Sequence, residues 1–317
     1  VDGNYNLFHL ENGAFVSSNA PHLFDFQTLR GTEQFSIVAD PQFADPANRD
    51  FSLRSQFGRW QNGVLVTDLV TSVAIDLGDP AATLTNEIPP NGGRINLGRN
   101  GNTSLAGLSS TNARVVALTL NDSGAVTGTI TLSWAAINLH SASTVRVEYS
   151  PNEGATWTNI ATGVPATNQQ VAWNTTLFAS SARGQWRVTM ETNAAATDVV
   201  DTMFSVRNSN LVFYVNDDST NQDVYCTAPG QTTNNGVEAS SPLSSLQDVI
   251  NRYDVDAGDV IYVDTGLYLL TNTVGLTAFD SGRPGRYLLI QGSTNYSAGG
   301  SILNRQATNQ DVIQVYG

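Results

Sequence analysis

Lysine is missing altogether: the chain has 15 basic residues among its 317, and every one is arginine. That excludes a P-loop lysine, a Schiff-base lysine and Lys to Asn isopeptide crosslinks, so mechanical strength has to come from packing and hydrogen bonds. Cysteine occurs once, at Cys226, which rules out an internal disulfide and a Cys-ligated zinc site. The reading is a buried or half-buried structural thiol, with an intermolecular partner as the alternative. Charged residues make up only 14%, yet the formal net charge is -13, which disfavours binding to nucleic acid phosphates. No apolar run approaches the roughly 20 residues that span a bilayer. An initiating Met and a signal-peptide pattern are also lacking, and the chain is expected to be an interior piece of something longer.

What is present is apolar and small-polar: hydrophobic residues at 40%, with Asn, Thr, Ser and Gly filling most of the remainder. This is the balance of short strands and polar turns, so the expected class is all-β, with two or three domains at this length. Three zones appear. Residues 1–109 are punctuated by Asp-Pro and Asn-Gly, residues 110–208 hold regular strands, and residues 209–317 hold strands after a polar start. The joints fall in short polar runs at 108–111 and 208–210.

The middle zone predicts seven strands, at 114–120, 128–134, 144–150, 157–160, 170–173, 185–191 and 198–206, the count of an immunoglobulin-like β-sandwich. Ile130, Leu132 and Trp134 fall on one face, as do Val145, Val147 and Tyr149, and Trp186, Val188 and Met190. Arg146, Glu148, Arg187 and Thr189 fall on the other. The run Ser150-Pro151-Asn152-Glu153-Gly154-Ala155-Thr156-Trp157 resembles the Asp-box of sialidase-like propellers, with Asn152 where the Asp stands, and reads as a braced hairpin.

In the third zone Leu246, Val249, Ile250 and Tyr253 follow helical spacing behind a Ser244 and Gln247 capping box. Strands are then expected at 260–263, 271–276, 286–291, 301–304 and 311–315, short and punctuated in the manner of parallel β-helix coils. The runs Tyr214-Val215-Asn216-Asp217 and Ala257-Gly258-Asp259-Val260-Ile261-Tyr262-Val263-Asp264 resemble the opening of right-handed parallel β-helix proteins of the pectate-lyase-like superfamily. The runs Ala39-Asp40-Pro41-Gln42-Phe43, Asp50-Phe51-Ser52-Leu53, Ala74-Ile75-Asp76-Leu77-Gly78-Asp79-Pro80 and Asn91-Gly92-Gly93-Arg94-Ile95-Asn96 are similar to closing coils of the same family. The resemblance implies parallel β-helix pieces at both ends with a sandwich between. Residues 1–109 are then closing coils and a C-terminal cap, 110–208 the sandwich, and 209–317 a capping helix with the first coils of a second β-helix.

The family's enzymes place their carboxylates and calcium ligands on middle coils that this chain lacks, so no catalytic site and no cofactor is expected. Asp217, Asp218 and Asp223 share one polar loop and are the Ca²⁺ candidates, against the alternative of solvated turn residues. Asp254, Asp256 and Asp259 read as turn-forming Asx residues. Asp76 and Asp79 are near enough in sequence to suggest a general acid/base pair, although the run containing them is what the family uses as a terminal turn. His9, His22 and His140 are scattered, without ligand spacing. Exposure of Trp157 together with Trp173 is the mark of a sugar-stacking platform, and core packing of the tryptophans its alternative. Sequons stand at Asn102, Asn121, Asn174 and Asn295.

The expectation is therefore a non-catalytic structural segment of a large extracellular or cell-surface repeat protein, a fibre, stalk or adhesin built by head-to-tail β-helix stacking. A non-catalytic fragment of a secreted polysaccharide lyase or hydrolase, and a carbohydrate-binding module, are the alternatives. The expected partners are further copies or repeats, with glycans as a second class; nucleic acid and a membrane span are not expected.

Overall fold

The computed structural model describes residues 3–10, 20, 22–139, 142–277, 280, 285–307 and 309–316. It is predominantly β, built from several small sheets, and separates into two compact units. The first comprises residues 1–124, 128–175 and 183–203, and the second 125–127, 176–182 and 204–317.

The first unit begins with β1 (Leu7–Phe8), helix α1 (Leu23–Arg30) and β2 (Ile37–Val38), and β1 and β2 pair in parallel. The hairpins β3 (Phe43–Asp45) with β4 (Asp50–Leu53), and β5 (Arg59–Gln61) with β6 (Val64–Val66), follow. Sequence periodicity does not reveal α1. Its first N–H, from Leu23, is capped by the Asp122 carboxylate at 2.8 Å, a residue far away in the chain, and Gly31 closes it in the left-handed region at φ 69°.

Two antiparallel sheets complete the unit. One holds β12 (Gln170–Asn174), β9 (Thr129–Ile137) and β7 (Arg114–Ala117), and the other holds β11 (Thr158–Pro165), β10 (Thr144–Ser150), β13 (Ser181–Met190) and β14 (Asn193–Val199). They face each other across Trp134, Trp186, Val145, Val147, Val188 and Met190, all buried, with the Tyr149 and Trp173 rings 4.9 Å apart. The inward sets of the sequence pattern are buried, apart from half-buried Ile130 at the sheet end. The opposite face is no free surface. Glu148 there is buried between Arg146 at 3.0 Å and Arg187 at 2.7 Å, and Arg187 lies 4.2 Å over the Trp157 ring. Burial works against the Glu148 charge, yet the two guanidiniums hold its carboxyl below the ordinary glutamate range.

The strand expected over 198–206 is two: β14 ends at Val199, and a new strand, β15 (Phe204–Val206), starts after a turn and pairs in parallel with β8 (Ala125–Val126) in the second unit. The expected boundary near residue 109 runs through a shared core, because Ile37 and Leu77 cluster with Val116, Leu118, Ala135 and Ile137.

The second unit stacks parallel strands. β16 (Val212–Val215), β17 (Val260–Val263) and β20 (Leu289–Gly292) form one ladder in strict register, Phe213 to Ile261 to Ile290. β18 (Gly266–Leu269) pairs with β21 (Ser301–Asn304), and β19 (Val274–Leu276) with β22 (Ile313–Val315). Helix α2 (Leu246–Arg252) buries Leu246 and Val249, and Tyr253 behind it stacks on Phe213 at 5.1 Å. Its cap differs from the expected one. Ser245, not Ser244, is the N-cap and accepts the Asp248 N–H at 3.1 Å, which frees Gln247 to accept the Gly275 N–H at 2.9 Å. The strand expected over 271–276 begins only at Val274, that over 286–291 is Leu289–Gly292, and β18 lies outside the expected strands.

Candidate functional site

The parallel ladders are closed on one side and open on the other. On the β16 side, the segment before α2 supplies partners: Tyr214 donates to Gly236 O at 2.8 Å, and Leu243 and Tyr214 are bonded at 3.0 Å. On the far side β20, β21 and β22 each have a neighbour on one edge only among the described residues. The Leu289 N–H donates back to Asp259 O at 2.9 Å, so Ile290, the next residue along a parallel strand, turns its N–H and C=O to the unpaired edge. Likewise the Val274 N–H uses Val312 O at 2.9 Å, which leaves Ile313 facing outward. Leu289, Ile302, Ile313 and Val315 along these strands are exposed.

Asp217, Asp218 and Asp223 do not converge on a common point for a cation, and no group of three or more His, Cys, Asp or Glu side chains does so among the described residues. Instead the loop is tied by its own hydrogen bonds. Asp217 accepts the Ser219 N–H at 2.9 Å, and Asp223 accepts from Asn216 Nδ2 at 2.6 Å. Burial, then the neighbouring Asp264 and Asp217, push the Asp223 carboxyl above its ordinary value despite that bond. Asp259 is wholly buried, accepts the Leu211 N–H at 2.9 Å and pairs with Arg207 at 2.6 Å. Its role is thus an ion pair in addition to the turn expected of it.

Asp76 and Asp79 part company. Asp76 sits at φ 59°, buried, its Oδ1 accepting the Gly92 N–H at 2.9 Å, and its Oδ2 lies where a Cβ on residue 92 would fall, 2.5 Å away. Asp79 is half-buried and faces Tyr5 and Arg94. Burial raises both Asp76 and Glu87 above their ordinary values, and the charge of Asp76 adds to the rise at Glu87.

Asp76 lines a cleft of about 280 Å³ in the first unit together with Arg114, Ser109, Ser110, Asn112 and Phe57. Burial lowers Arg114, while Asp76 and Asp198 support its charge. Its Nη2 donates to Ile75 O at 2.5 Å. Asp198 accepts the Ala117 N–H at 2.8 Å and is pushed up to about 6, chiefly by burial. Sequence reading passed over Arg114 and Asp198, since each reads as an ordinary strand residue; an arginine among the apolar residues Val115 to Leu118 was the only local signal.

Trp173 is 1% exposed and Trp157 half-buried beneath Arg187, so the two do not form an exposed platform. Asn121 is buried and donates to Val38 O at 3.1 Å and Asp201 at 2.9 Å, which closes that sequon in the folded chain. Neither His9 nor His22 belongs to a group of three or more potential metal ligands among the described residues, and His140 lies outside the described residues. Among the described residues no helix is long and apolar enough to cross a membrane.

Residues 3–78 match the family described as "Disaggregatase related", a stretch that runs from the β1 region through Asp76 to Gly78. No curated protein and no solved structure matches the chain.

Proposed function

We propose that this chain is a non-catalytic structural segment of a large extracellular or cell-surface repeat protein, a fibre, stalk or adhesin that lengthens by head-to-tail stacking of β-helix coils. In this reading the parallel ladders of residues 209–317 are the first coils of a parallel β-helix behind a capping helix. The facing antiparallel sheets of residues 110–208 are an immunoglobulin-like sandwich, and residues 1–109 are closing coils.

The observation that carries the proposal is the polarity of the ladders: Tyr214 is bonded to Gly236 and Leu243 on the capped side, whereas Ile290 and Ile313 face an edge without a partner among the described residues. A row of unpaired N–H and C=O groups flanked by exposed Leu289, Ile302 and Val315 is a template for another parallel strand. The occupant that fits is a closing coil of the kind assigned to residues 1–109. Such a contact is heterologous and propagates rather than closing on itself.

The test is sedimentation velocity over a concentration series with electron microscopy of the same samples, on the chain and on Ile290→Pro with Ile313→Pro. Proline at those positions removes outward N–H groups and leaves the inward pairing. The chain should form end-to-end oligomers that the double variant does not. A monomer at every concentration, or equal association of both proteins, overturns the proposal.

A further inference from the structure

The cleft in the first unit brings Arg114 together with uncharged polar and apolar groups. Arg114 uses Nη2 at Ile75 O, 2.5 Å, and at Val73 O, 3.5 Å, and no described residue accepts from its Nε or Nη1. The Nε–H and Nη1 N–H groups, fixed at the start of a core strand, are charged donors left over for a carboxylate oxygen.

Around it lie polar groups with capacity left over. Ser110 Oγ accepts the Asn112 N–H at 2.9 Å and keeps its own proton. Gln56 uses Nε2 on Leu69 O at 2.8 Å and keeps Oε1. The Asn112 side-chain amide makes no hydrogen bond to a described residue. These groups match hydroxyls, and Phe57 and Ile137 give the same cleft an apolar wall. A space of about 280 Å³ holds a molecule of a few carbons with some water.

We infer that this cleft binds a small hydroxycarboxylate, with its carboxylate on the remaining Arg114 N–H groups and its hydroxyls on Gln56, Ser110 and Asn112. The charged groups facing Arg114 are Asp76, Asp198 and the second guanidinium, Arg94. Asp76 in turn faces Arg94 and Glu87, and Asp198 faces Asp201. When Asp198 and Asp76 carry charge they compete with an incoming carboxylate for Arg114. Burial raises both acids, Asp198 to about 6, so a fall in pH removes the competitors while a hydroxy acid stays ionised. The general negative charge of the chain, -13, opposes an anion only weakly at physiological salt, where screening acts within about 8 Å.

Isothermal titration of the whole chain with D-glycerate, glycerol and propionate, at about pH 5 and about pH 7.5, tests this across the titration of Asp198. Glycerate should bind more tightly at the lower pH, propionate several-fold more weakly, and glycerol not measurably. Arg114→Gln should weaken glycerate by roughly tenfold or more, the loss expected for charge-assisted hydrogen bonds. Because Arg114 also holds Ile75, the second variant is Ala113→Leu, which fills the cleft from its rim without touching that bond and should abolish binding. Asn112→Ala should weaken glycerate several-fold. Equal affinity for glycerol and glycerate, unchanged binding in folded Ala113→Leu, or no binding of glycerate at either pH overturns the inference.

Discussion

Asp264 accepts the backbone N–H of Cys226 at 2.6 Å from a position with no solvent exposure at all. The same carboxylate takes the N–H groups of Val224, Tyr225 and Thr265, each at 2.7 Å. Four main-chain donors thus replace water around a buried charge at the end of β17, and they hold the loop that leads from β16. Asn216, equally buried, ties the loop from its other side through Ser219 O at 2.9 Å and Ala228 O at 2.9 Å. Asp217 and Asp223 of this loop bond within it as well, to the Ser219 N–H and to Asn216 Nδ2.

Asp264→Ala strands these buried donors, and at about 1–3 kcal/mol for each one left unsatisfied the loss should exceed roughly 3 kcal/mol. Denaturant unfolding of the second unit's transition measures it, and a change below about 1 kcal/mol contradicts the assignment. Cys226 gives an independent readout. Burial, and then the charge of Asp264, push its thiol far above the ordinary range, so a disulfide reagent at about pH 8 should react slowly with the native chain and quickly with the Ala variant.

Asp198 contributes a pH dependence whose sign follows from its shift, opposite to that of Glu148. Its folded-state value, raised to about 6 by burial, lies above that of an unfolded aspartate, so the folded chain binds this proton more tightly. The stability it contributes is fully present below about pH 4 and is lost as pH rises through about 6. Asp76, Glu87 and Asp122 are raised by burial as well and add slopes of the same sign. Asp198→Asn keeps an acceptor for the Ala117 N–H. It should flatten the slope between about pH 4 and pH 6 and stabilise the chain at pH 7 by roughly 1–2 kcal/mol in thermal unfolding. A steeper slope in the variant contradicts this.

How much of this was legible in the sequence varies with the range of the interaction. Period-two alternation is a local signal, and it marks the strand Thr144–Ser150 to the residue. The 198–206 strand fails because an apolar run does not disclose the turn at Val200 to Met203 that divides it. Helix α1 escapes because its buried residues are only Leu23 and Gln27, too few to make a stripe, and its cap is shared between local Asp25 and distant Asp122. Asp76 and Asp79, adjacent by spacing, separate because a left-handed backbone at Asp76 turns that side chain inward. Arg114 and Asp198 meet only through tertiary packing, which no short motif encodes.

Trp134 and Trp186 are fully buried, and each satisfies its indole N–H on a carbonyl, Ala166 O at 3.2 Å and Thr119 O at 2.7 Å. Truncation to Ala should destabilise by about 3–5 kcal/mol in each case. Trp186→Phe, which keeps most of the apolar volume and orphans the Thr119 carbonyl, should lose less, about 1–3 kcal/mol. Calorimetry of the first unit's transition separates the two effects, and equal losses for Phe and Ala would show that volume is not what the site requires.

The hairpin at 150–157 gives the most discriminating test of a sequence-level reading. Ser150 is fully buried, and its hydroxyl accepts the N–H groups of Asn152 at 3.2 Å and Gly154 at 2.8 Å while donating to Asn152 Oδ1 at 3.0 Å. Asn152 Oδ1 also accepts from the Thr156 N–H at 2.9 Å and the Thr156 hydroxyl at 3.2 Å, so only the oxygen of its amide serves the turn. A carboxylate offers the same acceptor. Asn152→Asp should therefore change stability by less than about 0.5 kcal/mol, or raise it through the charge-assisted bonds. Ser150→Ala removes the hydroxyl that spans the turn and should lose about 2 kcal/mol. Gly154, at φ 80° with the Trp157 ring 3.3 Å from where its Cβ would stand, has neither the backbone freedom nor the space for a side chain. Gly154→Ala should then lose at least about 1 kcal/mol. Urea unfolding of the three variants orders them, and a large loss in Asn152→Asp with none in Ser150→Ala would show that the turn is held by something other than this brace.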